Sequence, residues 1–466
     1  MTLARKPTVA IIGGGLSGAA VAYHLAAILR PGVVDLVVIE PRPYLGRGVA
    51  YSAQDADHRL NVPDHKMTLR SDQQDHFRRW LTSPAAPGLP AGSAMPGGDI
   101  FAPRRVFGSY VADQMAPLLA DGRVRHVQDS VTGVEGHYTM HLKGGSVLRA
   151  DLIVLAATHP KPAVPVELSP LQGHPALIAD ALAPAALEGI GAEERVLIVG
   201  NGLTSADIIA TLLRRGHQGR ITALSRHGWR SQTHGPQQAE SLADFATAPV
   251  STALALLRRV RSALAVDAAR GLTWHAVLDR LRSQGPVIWA ALPEAERRRL
   301  LRHLRALWDV HRFRIAPQTH AASQILQRDG RLVHMAGRIG QVVPGSAVAV
   351  QVVQRHSRRS VSLMVDHVVL ATGPAHGSVI ATNPALTDLA RLGLLRPDPL
   401  GLGLHTSPRG HALPLQGASD GTLLVAGPLA RGTVGELMGL PEVILWAELI
   451  AREAAVQILG FSVRPG

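Results

Sequence analysis

Apolar positions along the chain fall into two successive series that echo one another. Val9 to Ile12 is a short unbroken apolar run, as expected of a strand covered on both faces, and Leu16 to Leu29 continues at helical spacing. The stretch from Val124 to Leu148 then predicts a β meander, and Leu152 to Ala156 a second buried strand. The order recurs downstream as a strand from Val196 to Val199, a helix from Leu203 to Arg214, strands between Leu332 and Val365, and a buried run from His367 to Ala371. Between the series, His159 to Leu187 carries Pro160, Pro162, Pro165, Pro170, Pro175 and Pro184, the composition of a linker. Leu254 to Asp309 has apolar residues at helical spacing and charged faces, so it predicts a helical insertion. The expected class is α/β, with two Rossmann-like dinucleotide-binding domains of three-layer ββα form, the second inserted into the first and carrying the helices. The expected ranges are 1–165 for the first part of domain one, 166–345 for domain two with its insertion at about 250–310, and 346–466 for the second part of domain one. After Ala371 the chain is expected to return to the first domain.

Composition narrows the function. With 46% hydrophobic and 18% charged residues in 466, the chain has material for a large core and two or three domains. Its 48 basic against 35 acidic residues leave +13, which suits nucleic acid, an anionic membrane, or ligands bearing phosphate and carboxylate. The 5 Tyr, 6 Phe and 6 Trp are scattered rather than interleaved with basic residues, which argues against nucleic acid. The run Arg297, Arg298, Arg299, Arg302 and Arg305 reads as a solvated helix face, with a partner surface as the alternative. The absence of cysteine excludes disulfides, thiolate metal sites and dithiol redox relays. No pair among the 22 histidines has metal-ligand spacing with acidic company, so no metal is expected. Met1 to Ala22 superficially resembles a signal peptide, but its spaced glycines suit a phosphate loop better. No run reaches the roughly 20 apolar residues that cross a bilayer, so no membrane association and a cytoplasmic location are expected.

Gly13-Gly14-Gly15-Leu16-Ser17-Gly18 lies between the first strand and first helix, the setting a dinucleotide-binding turn needs. Gly13 allows the tight turn, Gly15 lets backbone approach a pyrophosphate, and Gly18 lets the helix pack on the strand, while Leu16 and Ser17 begin the helix whose N-terminus faces the phosphates. Val37, Val38 and Ile39 end at Glu40, 22 residues after Gly18, where a carboxylate meets a ribose diol, with Arg42 just beyond among the expected cofactor contacts. Gly200-Asn201-Gly202-Leu203-Thr204-Ser205-Ala206 repeats the turn, Ala206 standing for the third glycine. The next strand, Ile221 to Leu224, runs into Ser225, Arg226 and His227 with no acidic residue. Arginine in place of the carboxylate accommodates a 2′-phosphate, so NADPH is expected over NADH, unless Arg226 is a plain surface residue.

Gly46-Arg47-Gly48-Val49-Ala50-Tyr51-Ser52, His58-Arg59-Leu60-Asn61-Val62-Pro63 and Phe77-Arg78-Arg79-Trp80-Leu81 resemble the FAD/NAD(P)-binding oxidoreductases of the YdhS-like family. Phe101-Ala102-Pro103-Arg104-Arg105 with Gly108 and Tyr110, Trp308-Asp309-Val310-His311-Arg312, Ala371-Thr372-Gly373-Pro374 and Gly401-Leu402-Gly403-Leu404 extend the resemblance over nearly the whole chain. It implies the fold of flavin-dependent N-hydroxylating, class B, monooxygenases, with FAD in the first domain and NADPH in the second. It further implies that Gly46, Gly48, Tyr51 and Asn61 lie along the FAD, Asn61 near the isoalloxazine, and that Gly373 crosses near the flavin. Read alone, Asn61 is also a turn residue before Val62-Pro63. Gly427-Pro428, followed by a helix from about Glu436, is placed to aim a helix N-terminus at the flavin pyrimidine, with Thr433 and Glu436 otherwise mere caps. Arg104, Arg105 and Arg312 suit a substrate bearing carboxylate. Asn61, Arg312 and His234 are the candidate catalytic residues, His234 being alternatively a contact to NADPH phosphates or a surface histidine.

The reaction so implied is oxidation of a small nitrogen compound, an amine, an amino acid such as aspartate, or hydroxylamine, through a flavin C4a-(hydro)peroxide formed after NADPH reduces FAD. Such chemistry resides in the cofactor, which agrees with the lack of an obvious acid–base dyad. An NADPH-linked flavin oxidase or reductase without oxygen insertion, and a non-catalytic redox-sensing flavoprotein, remain open alternatives. The expected partners are a small-molecule substrate and molecular oxygen, without nucleic acid or membrane, and a homo-oligomer is compatible with all of these.

Overall fold

A computed structural model describes residues 5–461, so residues 1–4 and 462–466, counted above in the first domain, lie outside the described residues. The first unit is built from β1 (Thr8–Ile12), α1 (Leu16–Ile28), β2 (Asp35–Ile39), α2 (His76–Leu81), α3 (Arg104–Ala120) and β3 (Arg125–Val127), then β4 (Val131–Glu135), β5 (Thr139–Leu142), β6 (Val147–Arg149) and β7 (Leu152–Leu155). β1 is buried along its whole length, and α1 lays Gly18, Ala19, Ala20, Val21, Ala22 and Leu25 into the same core. Small side chains on that face let helix and strand approach closely, which fixes where the helix begins.

The second unit opens with β8 (Leu177–Ile178), β9 (Val196–Val199), α4 (Leu203–Arg214) and β10 (Ile221–Ser225). Four helices follow, α5 (Ala253–Ala269), α6 (Trp274–Ser283), α7 (Gly285–Ala291) and α8 (Glu294–Arg312), gathered around Phe245, Leu256, Val277, Ile288 and Leu292. After α9 (Pro317–Arg328) come β11 (Leu332–Val343), β12 (Val348–Gln354), β13 (Ser360–Val365) and β14 (His367–Leu370), then α10 (Pro384–Arg391), β15 (Leu423–Val425), α11 (Arg431–Val434) and α12 (Glu442–Phe461).

One sheet runs β15-β7-β1-β2-β3 and is parallel throughout, and the other runs β13-β12-β11-β10-β9-β14-β8, parallel from β8 to β11 with an antiparallel extension to β13. Parallel strands buried on both faces are what the unbroken apolar runs encode. Leu423 of β15 pairs with Ile153 of β7, so the chain leaves the first sheet after β7, builds the whole second sheet, and returns. The second unit is thus inserted into the first, in an α/β fold of two Rossmann-like halves.

Three expectations need correction. The crossing back falls after Leu370, in keeping with the return expected after Ala371 but not with the 345/346 bound: Val348, Val350 and Val352 of β12 alternate into the second core, and β14 pairs with β9. The meander is shorter than expected, since Arg125–Val127 joins the parallel sheet beside β2 and only β4, β5 and β6 form the antiparallel sheet. The proline-rich stretch is more than a linker, because Leu168 and Leu171 are buried in the second core and β8 pairs with β14. Among the described residues, no helix is long and apolar enough to cross a membrane.

Candidate functional site

Gly13 ends β1 with φ of 101°, and a Cβ there would lie 2.5 Å from the carbonyl oxygen of Ala156, at the end of β7. Only glycine fits a left-handed turn pressed so hard on a neighbouring strand. Its N–H donates to the Ile39 carbonyl at 2.9 Å, and Gly46 N–H donates to the Gly14 carbonyl at 2.8 Å. A Cβ on Gly48 would meet Gly15 Cα at 3.0 Å, and one on Gly427 would meet Ser17 Oγ at 2.2 Å. The turn at residues 13–18, the loop at 46–48, the end of β7 and the turn at Gly427-Pro428 therefore converge on the N-terminus of α1. No side chain caps that terminus, so its first amides, Leu16 and Ser17 among them, stay available to an anion.

Glu40 is buried at the end of β2. Its Oε2 accepts from Gly14 N–H at 2.9 Å, and its Oε1 accepts from the Arg42 backbone at 3.1 Å and guanidinium at 3.0 Å. The sequence-predicted first set is thus brought together, with the Tyr51 ring 4.9 Å from Phe107 and its hydroxyl pushed up to about 12 by burial. The glycine cradle, uncapped amides and carboxylate fit the pyrophosphate and ribose of a dinucleotide.

The second turn repeats this geometry. Gly200 has φ of 118°, and a Cβ on it would lie 2.2 Å from the Ala371 carbonyl oxygen, beyond the end of β14. A Cβ on Gly202 would meet nothing within 4 Å, so that face is open, and α4 also begins without a side-chain cap. Leu203, Thr204 and Ser205 form its first turn, and the buried Ser205 Oγ has no partner among the described residues. His334 donates from Nδ1 to Asn201 Oδ1 at 3.1 Å, and burial pushes the ring down to about 4. Beside it lies a cavity of about 390 Å³ lined by Gly228, Trp229, Arg230, Gln327 and His334.

At the end of β10, Arg226 is exposed and His227 stacks on Trp229 with centroids 4.4 Å apart. His227 is pushed down by burial, then by the charges of Arg355, Arg226 and Arg338. None of these three arginines pairs with a carboxylate among the described residues. Arg338 and Arg355 escaped the sequence reading because β11 and the turn after β12 reach Arg226 only through the sheet.

The two units meet at the strand ends. His159 and His376, a few residues past Ala156 and Ala371, pack edge to face with centroids 4.5 Å apart, and burial pushes them down to about 4 and about 3. Neither was singled out from sequence, although their equivalent places in the two series were a usable signal. Gly373 stands between Ala371 and His376, with open space where a Cβ would be. Across the same junction, His234 Nε2 donates to the Asn61 carbonyl at 3.0 Å, and its ring lies 5.0 Å from Phe101. Burial pushes His234 down to about 4, so it is not a surface histidine.

Arg312 makes no hydrogen bond to Asn61 or His234 among the described residues. Its buried guanidinium donates to Glu436 at 3.1 Å and faces Glu442 at 3.6 Å. The helix expected from Glu436 begins instead at Glu442, because Gly435, with φ of 82°, breaks the chain after the short α11. Glu436 is therefore a buried ion-pair partner rather than a cap. Asp64, His65 and Asp99 lie close enough for a metal, but Asp64 already accepts from Arg78 at 2.5 and 2.9 Å and from Ile100 N–H at 2.9 Å.

Fold and cradles together define a class, proteins that hold two dinucleotides on two Rossmann-like units, one inserted in the other. Residues 10–160, within the first unit, match a family described as FAD-NAD(P)-binding. No curated protein matches the chain by sequence. L-lysine 6-monooxygenase from Pseudomonas syringae shares the fold with a TM-score of 0.60 at 18% identity, over 99% of this chain and 100% of that one. The reduced form of ornithine hydroxylase from Pseudomonas aeruginosa gives 0.58 at 15% identity, over 98% and 99%. Ornithine N-hydroxylase from Kutzneria sp. 744, with reduced FAD, NADP+ and L-ornithine, gives 0.56 at 15% identity, over 98% and 100%. At such identities the likeness is one of fold.

Proposed function

We propose that the chain is an FAD- and NADPH-dependent monooxygenase that oxidises the nitrogen of a small substrate. The observation that carries this reading is the contact between the two crossings: Gly13 abuts Ala156, Gly200 abuts Ala371, and just beyond them His159 and His376 meet at 4.5 Å. Dinucleotides held on those turns would lie against this shared wall, the arrangement that hydride passage between them needs. The fold shared with lysine and ornithine hydroxylases adds support for nitrogen as the atom oxidised. The chemistry supplied by the bound pair is hydride transfer from NADPH to flavin and activation of dioxygen by the reduced flavin.

The protein's part is to bind, orient and exclude water. Gly13, Gly15, Leu16, Ser17 and Gly18 hold the FAD pyrophosphate and Glu40 its ribose, with Arg42 fixing the Glu40 carboxylate. Gly200, Gly202, Leu203, Thr204 and Ser205 hold the NADPH pyrophosphate, while Arg226, joined by Arg338 and Arg355, holds the 2′-phosphate. His234 spends its Nε2 proton on Asn61, which leaves Nδ1 as an acceptor between the units. Because burial keeps the ring neutral above about pH 4, Nδ1 would accept a hydrogen bond from a ligand N–H there rather than shuttle a proton. Arg312 is a positioning residue that ties α8 to the segment from Glu436 to Glu442.

The test mixes NADPH-reduced enzyme with isotope-labelled dioxygen in the presence of a panel of amines. Label in an oxidised nitrogen product is the expected result. Delivery of all electrons to hydrogen peroxide, whatever amine is offered, would overturn the monooxygenase reading and leave an NADPH-linked flavin oxidase.

A further inference from the structure

The helical insertion lines a second cavity, of about 400 Å³ and partly open to solvent, that the cofactor cradles do not use. Its wall is apolar: Leu264 of α5, Leu278 of α6 and Leu304 of α8 face it, together with Trp274, Trp289 and Trp308. Packed interiors hold few voids larger than a water molecule. This one is more than twice the roughly 150 Å³ apolar cavity that suffices to bind benzene. Its volume falls within the range of small-molecule pockets.

The cavity also has a charged end. Arg431 and Glu436 line it, from the segment that follows the Gly427 turn against Ser17 of the first cradle. Arg282 and Arg305, which also line it, have carboxylate partners in Glu442 at 2.5 Å and Asp309 at 3.5 Å. Arg431 is 4% exposed, and its contact among the described residues is a long one, from Nε to the Gly435 carbonyl at 3.4 Å. No carboxylate lies within ion-pair distance of it among the described residues. Glu436 gives Oε1 to Arg312, while its buried Oε2 has no partner among the described residues. A buried guanidinium and a buried carboxylate oxygen, each short of a partner, both incur a desolvation penalty that a matching ligand removes.

We propose that this cavity is the substrate site and that its ligand is an α-amino acid with a large apolar side chain, carboxylate on Arg431, amino group on Glu436 Oε2, and side chain among the leucines. The identity of the substrate rests on the N-oxidising reading above, but the binding does not require turnover. Ornithine or lysine would carry a second cation into an apolar chamber, and aspartate a second anion, so the site disfavours all three. Burial holds Arg431 below the ordinary arginine range, in keeping with a cation that gains from an anionic ligand.

Calorimetric titration of the full-length, flavin-loaded protein without NADPH tests the proposal, with quenching of Trp274, Trp289 and Trp308 fluorescence as a second readout. The probes are norleucine, 2-aminooctanoate, 2-aminodecanoate, octylamine, ornithine and aspartate. Affinity should rise about four-fold per added methylene until the cavity is full, and ornithine and aspartate should bind at least about 100-fold more weakly than 2-aminooctanoate. Arg431→Gln should weaken 2-aminooctanoate by roughly ten-fold or more and leave octylamine unchanged. Leu278→Trp, which fills the chamber, should abolish the gain with chain length, and it keeps the test decisive if Arg431→Gln does not fold. Affinity indifferent to chain length, or an Arg431→Gln protein that binds as the parent does, would overturn the proposal even if another amine proves to be oxidised. Binding with the expected chain-length and Arg431 dependence would uphold the site, while delivery of all electrons to hydrogen peroxide in the labelled-dioxygen test, whatever amine is offered, would overturn the monooxygenase reading instead.

Discussion

Three arginines without carboxylate partners among the described residues, near a stacked His227–Trp229 pair, are the basis for the proposed 2′-phosphate contact at the end of β10. Charge-assisted hydrogen bonds to phosphate are worth about 1.5–3 kcal/mol each, roughly a 10- to 100-fold change in affinity. Replacing Arg226 or Arg338 with Gln should therefore raise the KM for NADPH by about that factor while leaving the KM for NADH unchanged, since NADH lacks the 2′-phosphate. Steady-state kinetics with both nucleotides checks this, and equal losses with the two would show that the arginines hold the loop rather than the phosphate. The places of Gly13, Glu40 and Arg226 at strand ends were legible in the sequence because each follows directly from an apolar run and a fixed spacing. Arg338, Arg355, His159, His376 and Arg431 were not, since each gains its meaning from a neighbour brought close only by folding.

Helices α3 and α4 belong to different units, yet Arg104 at the start of α3 donates to Asp207 of α4 at 2.7 Å. Around them, Asp55 accepts from Thr211 at 2.9 Å and from Arg214 at 2.7 Å, and His58 lies 3.2 Å from Thr211, so the first unit grips α4 along one side. Burial pushes Asp207 up despite the neighbouring guanidinium, which means that its desolvation outweighs the attraction. A pair of this kind costs little to replace whole and much to break. Asp207→Leu alone should lower stability by roughly 3–5 kcal/mol, because it strands Arg104, and the double change Arg104→Met with Asp207→Leu should recover most of that loss. Urea unfolding of the two single variants and the double variant measures the coupling, and additive losses would show that the pair does not act as a unit. Helices α1 and α4 were readable from their glycine turns and apolar faces, whereas α11 and the late start of α12 were not, because Gly435 interrupts a segment whose composition is helical throughout.

At the scale of the whole molecule, insertion of one unit in the other was visible as a repeated series of apolar runs, and so was the return after Ala371, whereas the bound at 345/346 fell too early. β12 and β13 carry the alternation of an antiparallel sheet that either unit could have owned, and only pairing of β14 with β9 assigns them to the second. The junction so formed holds the half-buried neutral histidines His159, His234 and His376, to which His334 beside the second turn adds, and this has a consequence for acid stability. Burial pushes His159, His234 and His334 down to about 4 and His376 to about 3. An unfolded chain offers ordinary imidazoles that take up protons below about pH 6.5. Between that value and about pH 4 the unfolded state therefore binds protons that the folded state refuses, and stability falls as pH falls. Above about pH 6.5 the rings are neutral in both states, and these four residues make stability independent of pH. The slope in the acid window is at most about 1.4 kcal/mol per pH unit for each fully shielded ring. Urea midpoints should hold steady from about pH 8 to 6.5 and then decline towards pH 4.5, and His376→Gln should flatten the decline by removing the ring pushed furthest down. A midpoint that stays level through the acid window, or a His376→Gln profile parallel to the parent's, would mean that the junction admits water and protons as the native protein stands.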